Sequence, residues 1–256
     1  MTMNDNPFKT PAAHVADAGG HAGDFSPDGQ RVPAGNGINW LGRGWDLFRQ
    51  APGVWIGIGL IYLIISLVLA FIPILGPLAL SLLAPVFIGG IMLGCHALSN
   101  NEDLSIGHLF AGFSNHAGNL ILVGVIYLVG VIAIMIVVGI GGAILGVGAF
   151  ALGMSSMAIV SIVLLSLLTM LLLVPLAMAV WFAPALVVFH EVPPFEAMKG
   201  SFFACLKNFL PFLLYGIAVF ILAIIASIPF GLGWLVLIPL LMASMYAGYR
   251  DMFTRS

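Results

Sequence analysis

Between Leu120 and Phe189 the chain runs for 70 consecutive residues without a single Asp, Glu, Lys or Arg. Such a stretch cannot form the surface of a water-soluble domain, which is on average about 25% charged. Only 7% of the 256 residues are charged and 61% are hydrophobic. A membrane-spanning helix needs roughly 20 apolar residues, and in lipid a helix satisfies its own backbone hydrogen bonds. The sequence therefore predicts an all-α integral membrane protein.

Apolar segments of helix length recur along the chain. The first two are joined by the sequence FIPILGP and the last two by IPFGLG. Both connections are short and uncharged, which favours helical hairpins. The uncharged middle has room for two long spans or three ordinary ones, with the glycine-rich residues 139–148 as the natural place for a bend. The apolar segments lie at about 53–72, 77–98, 119–140, 154–190, 209–229 and 232–249.

The positions of the basic residues decide between these topologies. With two spans in the middle, all eight Lys and Arg residues fall on one side of the membrane, as the positive-inside rule requires. With three spans, the basic residues of the 190–208 connection would lie opposite those near the N-terminus. We therefore predict six transmembrane helices with both termini in the cytoplasm. The basic residues are Lys9, Arg31, Arg43, Arg49, Lys199, Lys207, Arg250 and Arg255.

The first 35 residues differ in composition from the rest of the chain. They are rich in Gly, Ala, Pro and Asp and have no apolar periodicity. Such a composition cannot bury a core, so residues 1–35 are predicted to form a disordered cytoplasmic tail. They lack a basic segment followed by an apolar one, which excludes a cleavable signal peptide. The six-helix membrane domain is expected to occupy residues 36–256.

A short amphipathic segment precedes each predicted hairpin. In the first, Trp40 and Trp45 lie on an apolar face, and Arg43 and Arg49 lie on the opposite face. This pattern is typical of a helix in the membrane interface, where indole rings prefer the headgroup level. Similar segments precede the third and fifth spans. We therefore predict three hairpin repeats, each preceded by an amphipathic interfacial helix, which match in pattern more than in residue identity. The repeats cover about 36–98, 103–190 and 193–250.

The second helix of each predicted hairpin contains an interior proline: Pro85, Pro175 and Pro239. A proline inside a helix leaves backbone groups without partners, and in a membrane neighbouring helices must satisfy or shield them. The prolines therefore predict a packed bundle rather than isolated hairpins.

The sequence from Val32 to Trp55, VPAGNGINWLGRGWDLFRQAPGVW, resembles the start of an uncharacterised bacterial inner-membrane protein family. The threefold pattern is similar to YciC-like proteins and to the membrane domain of some glycerophosphodiester phosphodiesterases. The resemblance covers roughly 32–250 and is most specific over Gly35 to Trp45. It implies a helical bundle in the bacterial inner (plasma) membrane. It carries over no catalytic residue, because the phosphodiesterase chemistry belongs to a separate soluble domain.

Chemistry-bearing residues are scarce in the predicted spans. Membrane enzymes and coupled transporters usually keep ionisable groups there, although each costs roughly 2.5–3.5 kcal/mol or more at the bilayer centre. Glu102, Asp103 and His108 lie close in sequence, but helix capping by Asp103 or Ser105 is a simpler explanation than a metal site. We therefore expect no enzyme, and no catalytic, cofactor-binding or metal-binding residues. The net charge of −2 gives no indication of a nucleic-acid partner.

Two functional hypotheses remain. The favoured one is a non-enzymatic, multi-pass membrane protein of unassigned activity. It would organise either membrane lipids, including anionic ones, or a protein partner. The alternative is a transporter or channel for an apolar or lipid-like molecule, with the proline-containing helices and glycines as the pathway. A continuous polar cavity would favour transport, whereas grooves that open laterally to lipid would favour the first hypothesis. Oligomeric state stays open.

The first hypothesis places the site at the cytoplasmic headgroup layer. Basic residues there are expected to contact lipid headgroups, with ordinary positive-inside anchoring as the simpler alternative. Tryptophans near the first span are expected to act as interfacial anchors. The candidate headgroup contacts are Arg43, Arg49, Lys199 and Lys207, and the candidate anchors are Trp40, Trp45 and Trp55.

Overall fold

The computed structural model of the protein describes residues 25–114, 116–151 and 155–254. Within these ranges the chain forms α-helices and one 3₁₀ helix, Ile106–Phe113, and no strand beyond an isolated bridge between Phe25 and Thr254. The predicted all-α class is confirmed. The α-helices are α1 (Asn36–Gln50), α2 (Pro52–Ala70), α3 (Leu75–Ser99), α4 (Ala117–Ala151), α5 (Ser155–Trp181), α6 (Ala183–His190), α7 (Pro194–Lys207), α8 (Phe209–Ser227) and α9 (Trp234–Phe253).

Several of these helices are long and apolar enough to cross a bilayer. The uncharged middle supplies two such segments, and α2, α3 and α8 supply the others. The predicted sixth span, α9, is less apolar because its last turns contain tyrosines, Arg250 and Asp251. Six spans therefore stay a prediction. The segments of membrane-spanning length are Pro52–Ala70, Leu75–Ser99, Ala117–Leu145, Ile159–His190 and Phe209–Ser227.

The glycine-rich residues 139–148 do not form the expected bend. α4 continues through them to Ala151, and the boundary with α5 falls at 152–154, outside the described residues. In an apolar environment a helix keeps its internal hydrogen bonds, so glycine alone does not interrupt it. The Cβ position of Gly141 lies 3.3 Å from the Leu165 side chain. Here glycine permits close packing of α4 on α5.

A break separates α5 from α6 at Phe182. The Phe182 amide donates to the Ser201 hydroxyl oxygen at 2.9 Å, and that hydroxyl donates to the Met178 carbonyl at 2.7 Å. In an uninterrupted helix the Phe182 amide would bond directly to the Met178 carbonyl. The hydroxyl of Ser201, on α7, therefore replaces one helical hydrogen bond and satisfies both backbone groups at the break.

Each amphipathic segment packs against a helix that contains an interior proline. The 3₁₀ helix packs on α3, α7 packs on α5, and α1 packs on α9. In every case the contact lies within three residues after the proline. The second segment is a 3₁₀ helix rather than the expected α-helix, and glycines on both partners allow its backbone to approach α3 closely. The contacting pairs are Gly112 with Val86, Ser201 with Met178, and Gly44 with Leu240.

The predicted boundary of the disordered tail needs correction. Residues 1–24 lie outside the described part of the chain, but residues 25–35 pack against α7 and α9. The Val32 amide donates to Asn208 Oδ1 at 2.9 Å, and Asn208 Nδ2 donates to the Gln30 carbonyl at 2.9 Å. The Gln30 amide also donates to the Met252 carbonyl at 2.7 Å. These polar contacts order a segment that has few apolar side chains.

The core lies where α1, α3, α6, α7 and α9 meet. Large side chains fill it, and the faces of α2, α4, α5 and α8 that point outward expose mainly aliphatic residues. This distribution suits a protein whose outer surface contacts lipid. The largest fully buried side chains are Trp40, Trp55, Phe182, Phe253 and Met92.

Candidate functional site

The carboxylate of Asp251, near the end of α9, holds α1 in place. Its Oδ2 accepts hydrogen bonds from Asn36 Nδ2 and Trp40 Nε1, both at 2.8 Å. Its Oδ1 lies 3.7 Å from Arg43 Nη1. The Asp251 side chain is 15% exposed, so these partners compensate for much of its lost hydration. Sequence analysis missed this residue because it considered only the basic residues at this end.

Small residues let α1 fit tightly between α8 and α9. A Cβ on Gly37 would overlap the Pro211 carbonyl of α8, and a Cβ on Gly44 would lie 2.7 Å from the Ser244 amide nitrogen of α9. Helices α1 and α9 run in opposite directions. Trp40 of α1 contacts Gly248 of α9, whereas Gly44, further along α1, contacts Ser244, which comes earlier in α9. This close fit fixes the positions of the polar side chains on the outer face of α1.

An open groove of about 980 Å³ lies between α1, α8 and the first half of α9. We call it the α1 groove. Aliphatic side chains form most of its wall, including Leu222 and Ile225 of α8 and Val236 and Leu237 of α9. Its polar and charged lining residues all lie on α1. They are Asn39, Arg43 and Asp46.

A second, smaller cavity of about 310 Å³ adjoins the α1 groove near the end of α9. We call it the polar pocket. Arg43 and Asp46 line both spaces, so the two lie side by side along the outer face of α1. Further lining residues of the polar pocket include Ser99, Arg250 and Asp251. An apolar groove therefore lies next to a pocket that is lined by two guanidinium groups, those of Arg43 and Arg250.

The four predicted headgroup contacts differ in their surroundings. Arg43, Arg49 and Lys199 are more than half exposed, at 55%, 61% and 55%. Arg49 pairs with Asp46, and Lys199 Nζ lies 3.4 Å from Glu196 Oε2. Lys207 instead donates to the Asp28 carbonyl at 2.8 Å and so helps to hold residues 25–35 against α7.

Two of the three predicted tryptophan anchors are buried inside the protein. Trp40 is 2% exposed and Trp55 is 1% exposed. Trp40 Nε1 donates to Asp251 and Trp55 Nε1 donates to the Leu47 carbonyl at 3.3 Å, so neither indole reaches the surface. Their assignment as lipid-facing anchors is corrected, because both contact helices rather than lipid. Trp45, which is 43% exposed, is the candidate that remains.

Two further cavities lie between helices and are partly open to the outer surface. One, of about 410 Å³, is bounded by α2, α3 and α9, and the other, of about 560 Å³, reaches α4, α5 and α8. Tyr62 and Met242 line both. Among the described residues, no Asp, Glu, Lys, Arg or His lines either cavity. These cavities are therefore apolar, with a few hydroxyl groups.

Ser105, His108 and the two cysteines take part in helix capping or core packing. Ser105 caps the 3₁₀ helix, as one of the two predicted alternatives has it, and its amide donates to His108 Nδ1 at 3.0 Å. Cys95 and Cys205 are free and buried, and both pack as small core residues. Burial raises the pKa of the Cys205 thiol to about 12, so this sulfur stays protonated at neutral pH.

The amino-acid sequence is similar to that of a known bacterial protein. The chain is 30% identical over 226 residues to a protein of Burkholderia thailandensis named "Probable inner membrane protein". The alignment covers 84% of this chain and 82% of that protein. No protein-family model matches the chain, and no solved structure matches it. The similarity to YciC-like proteins and to phosphodiesterase membrane domains therefore stays a prediction.

Proposed function

Since the chain belongs to the uncharacterised family of bacterial inner membrane proteins that includes this Burkholderia protein, we propose that it is a non-enzymatic, multi-pass protein that organises membrane lipid. In this proposal its amphipathic segments lie at the cytoplasmic headgroup layer and bind phosphate-bearing lipids, including anionic ones. Neither a catalytic group nor a cofactor is required for this role.

The proposed topology has six spans in three repeats, with both termini in the cytoplasm. It counts α9, a helix of 20 residues joined to α8 by a short turn, as the sixth span. The docking of each amphipathic segment on the proline-containing helix of the neighbouring hairpin supports the repeat. In this proposal the three units close into a ring with the amphipathic segments at one end of the bundle, and the packing of α1 on α9 supports it.

The observation that carries the functional proposal is a shared surface pattern on α1 and α7. On α1, the exposed Arg49 follows the exposed Trp45 by four residues. On α7, the exposed Lys199 lies four residues from both Phe195 and Phe203, which are 67% and 43% exposed. Residues four apart share one helix face. Each helix thus presents an aromatic ring beside a cation, the combination favoured where headgroups meet acyl chains.

The test is lipid analysis after purification in native lipid nanodiscs. Replacing Arg49 and Lys199 together by Gln should lower the enrichment of cardiolipin and phosphatidylglycerol around the protein. Each cation near an anionic surface contributes about 1 kcal/mol, roughly fivefold in binding, and less where a carboxylate already holds it. Arg31→Gln is the matched control, because Arg31 is exposed and lies outside the amphipathic segments. Unchanged lipid enrichment in the double variant would refute the proposal.

Transport of an apolar molecule is the second candidate function. The two further cavities between helices support it, because they share Tyr62 and Met242 and lie beside the interior prolines Pro85 and Pro239. Their apolar lining suits an apolar cargo rather than an ion. Met242→Trp should block both cavities. If the protein is a transporter, this variant loses uptake of the cargo in vesicles while lipid enrichment by α1 and α7 is kept.

A further inference from the structure

We propose that the α1 groove and the polar pocket together form one binding site for a single phospholipid, with the phosphate between Arg43 and Arg250 and an acyl chain between α8 and α9. The inference rests on the proposed function, since it assumes that α1 faces lipid, but it assigns a defined site where that function needs only a charged layer. It also adds Arg250, which sequence analysis did not select.

The shape of the combined space suits an amphipathic ligand. The α1 groove, at about 980 Å³, is at the upper end of the roughly 300–1,000 Å³ range of small-molecule sites. From Arg250 in the polar pocket to Gly233 at the groove's far end, α9 rises about 25 Å at 1.5 Å per residue. A phospholipid is about half as long as a bilayer that measures about 40–45 Å with its headgroups, so one lipid held at Arg250 would reach along most of α9, the predicted sixth span. One end is charged and the other is aliphatic, in the order that a phospholipid requires.

Helices α8 and α9 contact each other at both ends of the apolar part of the α1 groove. At the cytoplasmic end Tyr215 Oη and Ser244 Oγ are 2.8 Å apart. At the turn, a Cβ on Gly233 would lie 2.5 Å from Ala226 Cα, so the backbones touch there. Between these two contacts Ala226 of α8 packs with Leu237 and Leu240 of α9, and this apolar floor of the α1 groove has α1 along one side. An acyl chain is the part of a lipid that fits such an apolar groove.

Charge complementarity identifies the phosphate position. The oxygens of Asp251 are engaged by Asn36, Trp40 and Arg43, and Asp46 is engaged by Arg49. Among the described residues, no carboxylate lies within 4.0 Å of the Arg250 guanidinium, in contrast to Arg43 and Arg49. A guanidinium group can donate two parallel hydrogen bonds to a phosphate, and phosphate is common to every glycerophospholipid headgroup.

Glycines in the helices make a sharp test possible. Gly42 lines the α1 groove, and a Cβ placed on it meets nothing within 4 Å. Gly42→Trp therefore fills the groove without displacing a helix. Gly216 of α8 also has open space at its Cβ but lies outside the groove, so Gly216→Trp is the matched control. For the charged end, Arg250→Gln is compared with Arg31→Gln.

The measurement is native mass spectrometry after stepwise delipidation, with nanodiscs of phosphatidylethanolamine alone and of phosphatidylglycerol alone as the two lipid sources. The unmodified protein should retain one phospholipid from at least one source, and the two arms show which headgroup binds. Gly42→Trp should abolish retention and Arg250→Gln should reduce it about tenfold, as expected when charge-assisted hydrogen bonds to phosphate are lost. Both controls should retain the lipid.

Retention that is equal in Gly42→Trp and Gly216→Trp would overturn the proposed site, as would retention that is insensitive to Arg250→Gln. Thermal unfolding of each variant checks that the fold is kept, and Ile225→Trp, at an exposed groove position of α8, replaces Gly42→Trp if that variant fails to fold. The broader function is tested separately by the Arg49 and Lys199 double variant, because neither residue holds the phosphate of the proposed site. Normal lipid enrichment in that variant refutes the broader function, whatever happens to the single retained lipid.

Discussion

The two central glycines of α1 differ in their surroundings and give a stringent test of the structure. Gly44 faces α9, where an added Cβ would lie 2.7 Å from the Ser244 nitrogen and 3.0 Å from the Leu240 oxygen. Gly42 faces outward, and an added Cβ there meets nothing within 4 Å. We expect Gly44→Ala to destabilise the protein and Gly42→Ala to stabilise it.

The magnitudes follow from the contact distances. Ordinary contacts begin near 3.4 Å, so a methyl group at Gly44 requires α1 and α9 to separate by about 0.7 Å. Both atoms that it meets belong to backbone and cannot rotate away. Overpacking of this kind costs about 1–3 kcal/mol. Replacing a mid-helix glycine by alanine contributes about 0.5–1 kcal/mol in the opposite direction, and this gain is common to both variants.

Comparing the two variants with each other therefore isolates the helix contact. Gly44→Ala should unfold about 1–3 kcal/mol more easily than Gly42→Ala, which for a chain of this size is a Tm several degrees lower. Thermal unfolding of both proteins in the same detergent, followed by tryptophan fluorescence, measures the difference. Equal Tm values would show that α1 does not pack on α9 as described, and the α1 groove would then lose its structural basis.

Three further predictions address other parts of the molecule. Asp251→Ala leaves Trp40 Nε1 and Asn36 without their acceptor and should cost about 2–4 kcal/mol in thermal unfolding, whereas Asp251→Asn keeps one acceptor oxygen and should cost less. Asn208→Ala removes both side-chain hydrogen bonds to residues 30 and 32, so hydrogen exchange should accelerate over 25–35 while α8 stays protected; unchanged exchange would contradict this clamp. Reporter domains fused after the last residue should be active only as cytoplasmic reporters, and activity of a periplasmic one would exclude the six-span topology.

Hydropathy was enough to predict the membrane class and most hairpins, but it could not say which apolar faces meet protein. Lipid tails and a protein core are equally apolar, so Trp40 and Trp55 have the same sequence signal in either place. The partner of the buried Trp40 indole, Asp251, lies 211 residues away in the sequence. The same limit explains why Arg43 was found from sequence and Arg250 was not: only the fold brings the two guanidinium groups to one pocket.

The ordered segment 25–35 was missed for a different reason. Prediction of disorder relies on the absence of apolar side chains, whereas this segment is held mainly through its backbone. Asn208 and Lys207, both distant in sequence, supply the partners. No local pattern indicates such an arrangement. The prediction of a bend at the glycine-rich residues 139–148 is wrong because it takes glycine as a helix breaker. That rule holds in water and weakens in an apolar environment.

The docking of α1 on α9 has a consequence for how the protein is made. Synthesis proceeds from the N-terminus, so α1 leaves the ribosome long before its partner exists. Until α9 is synthesised, the buried face of α1 with Trp40 and Gly44 is uncovered, and Asn36 lacks its acceptor. The earliest helix of the bundle is thus among the last to reach its final contacts. A chain that stalls before Leu240 would leave this face of α1 without the helix that covers it.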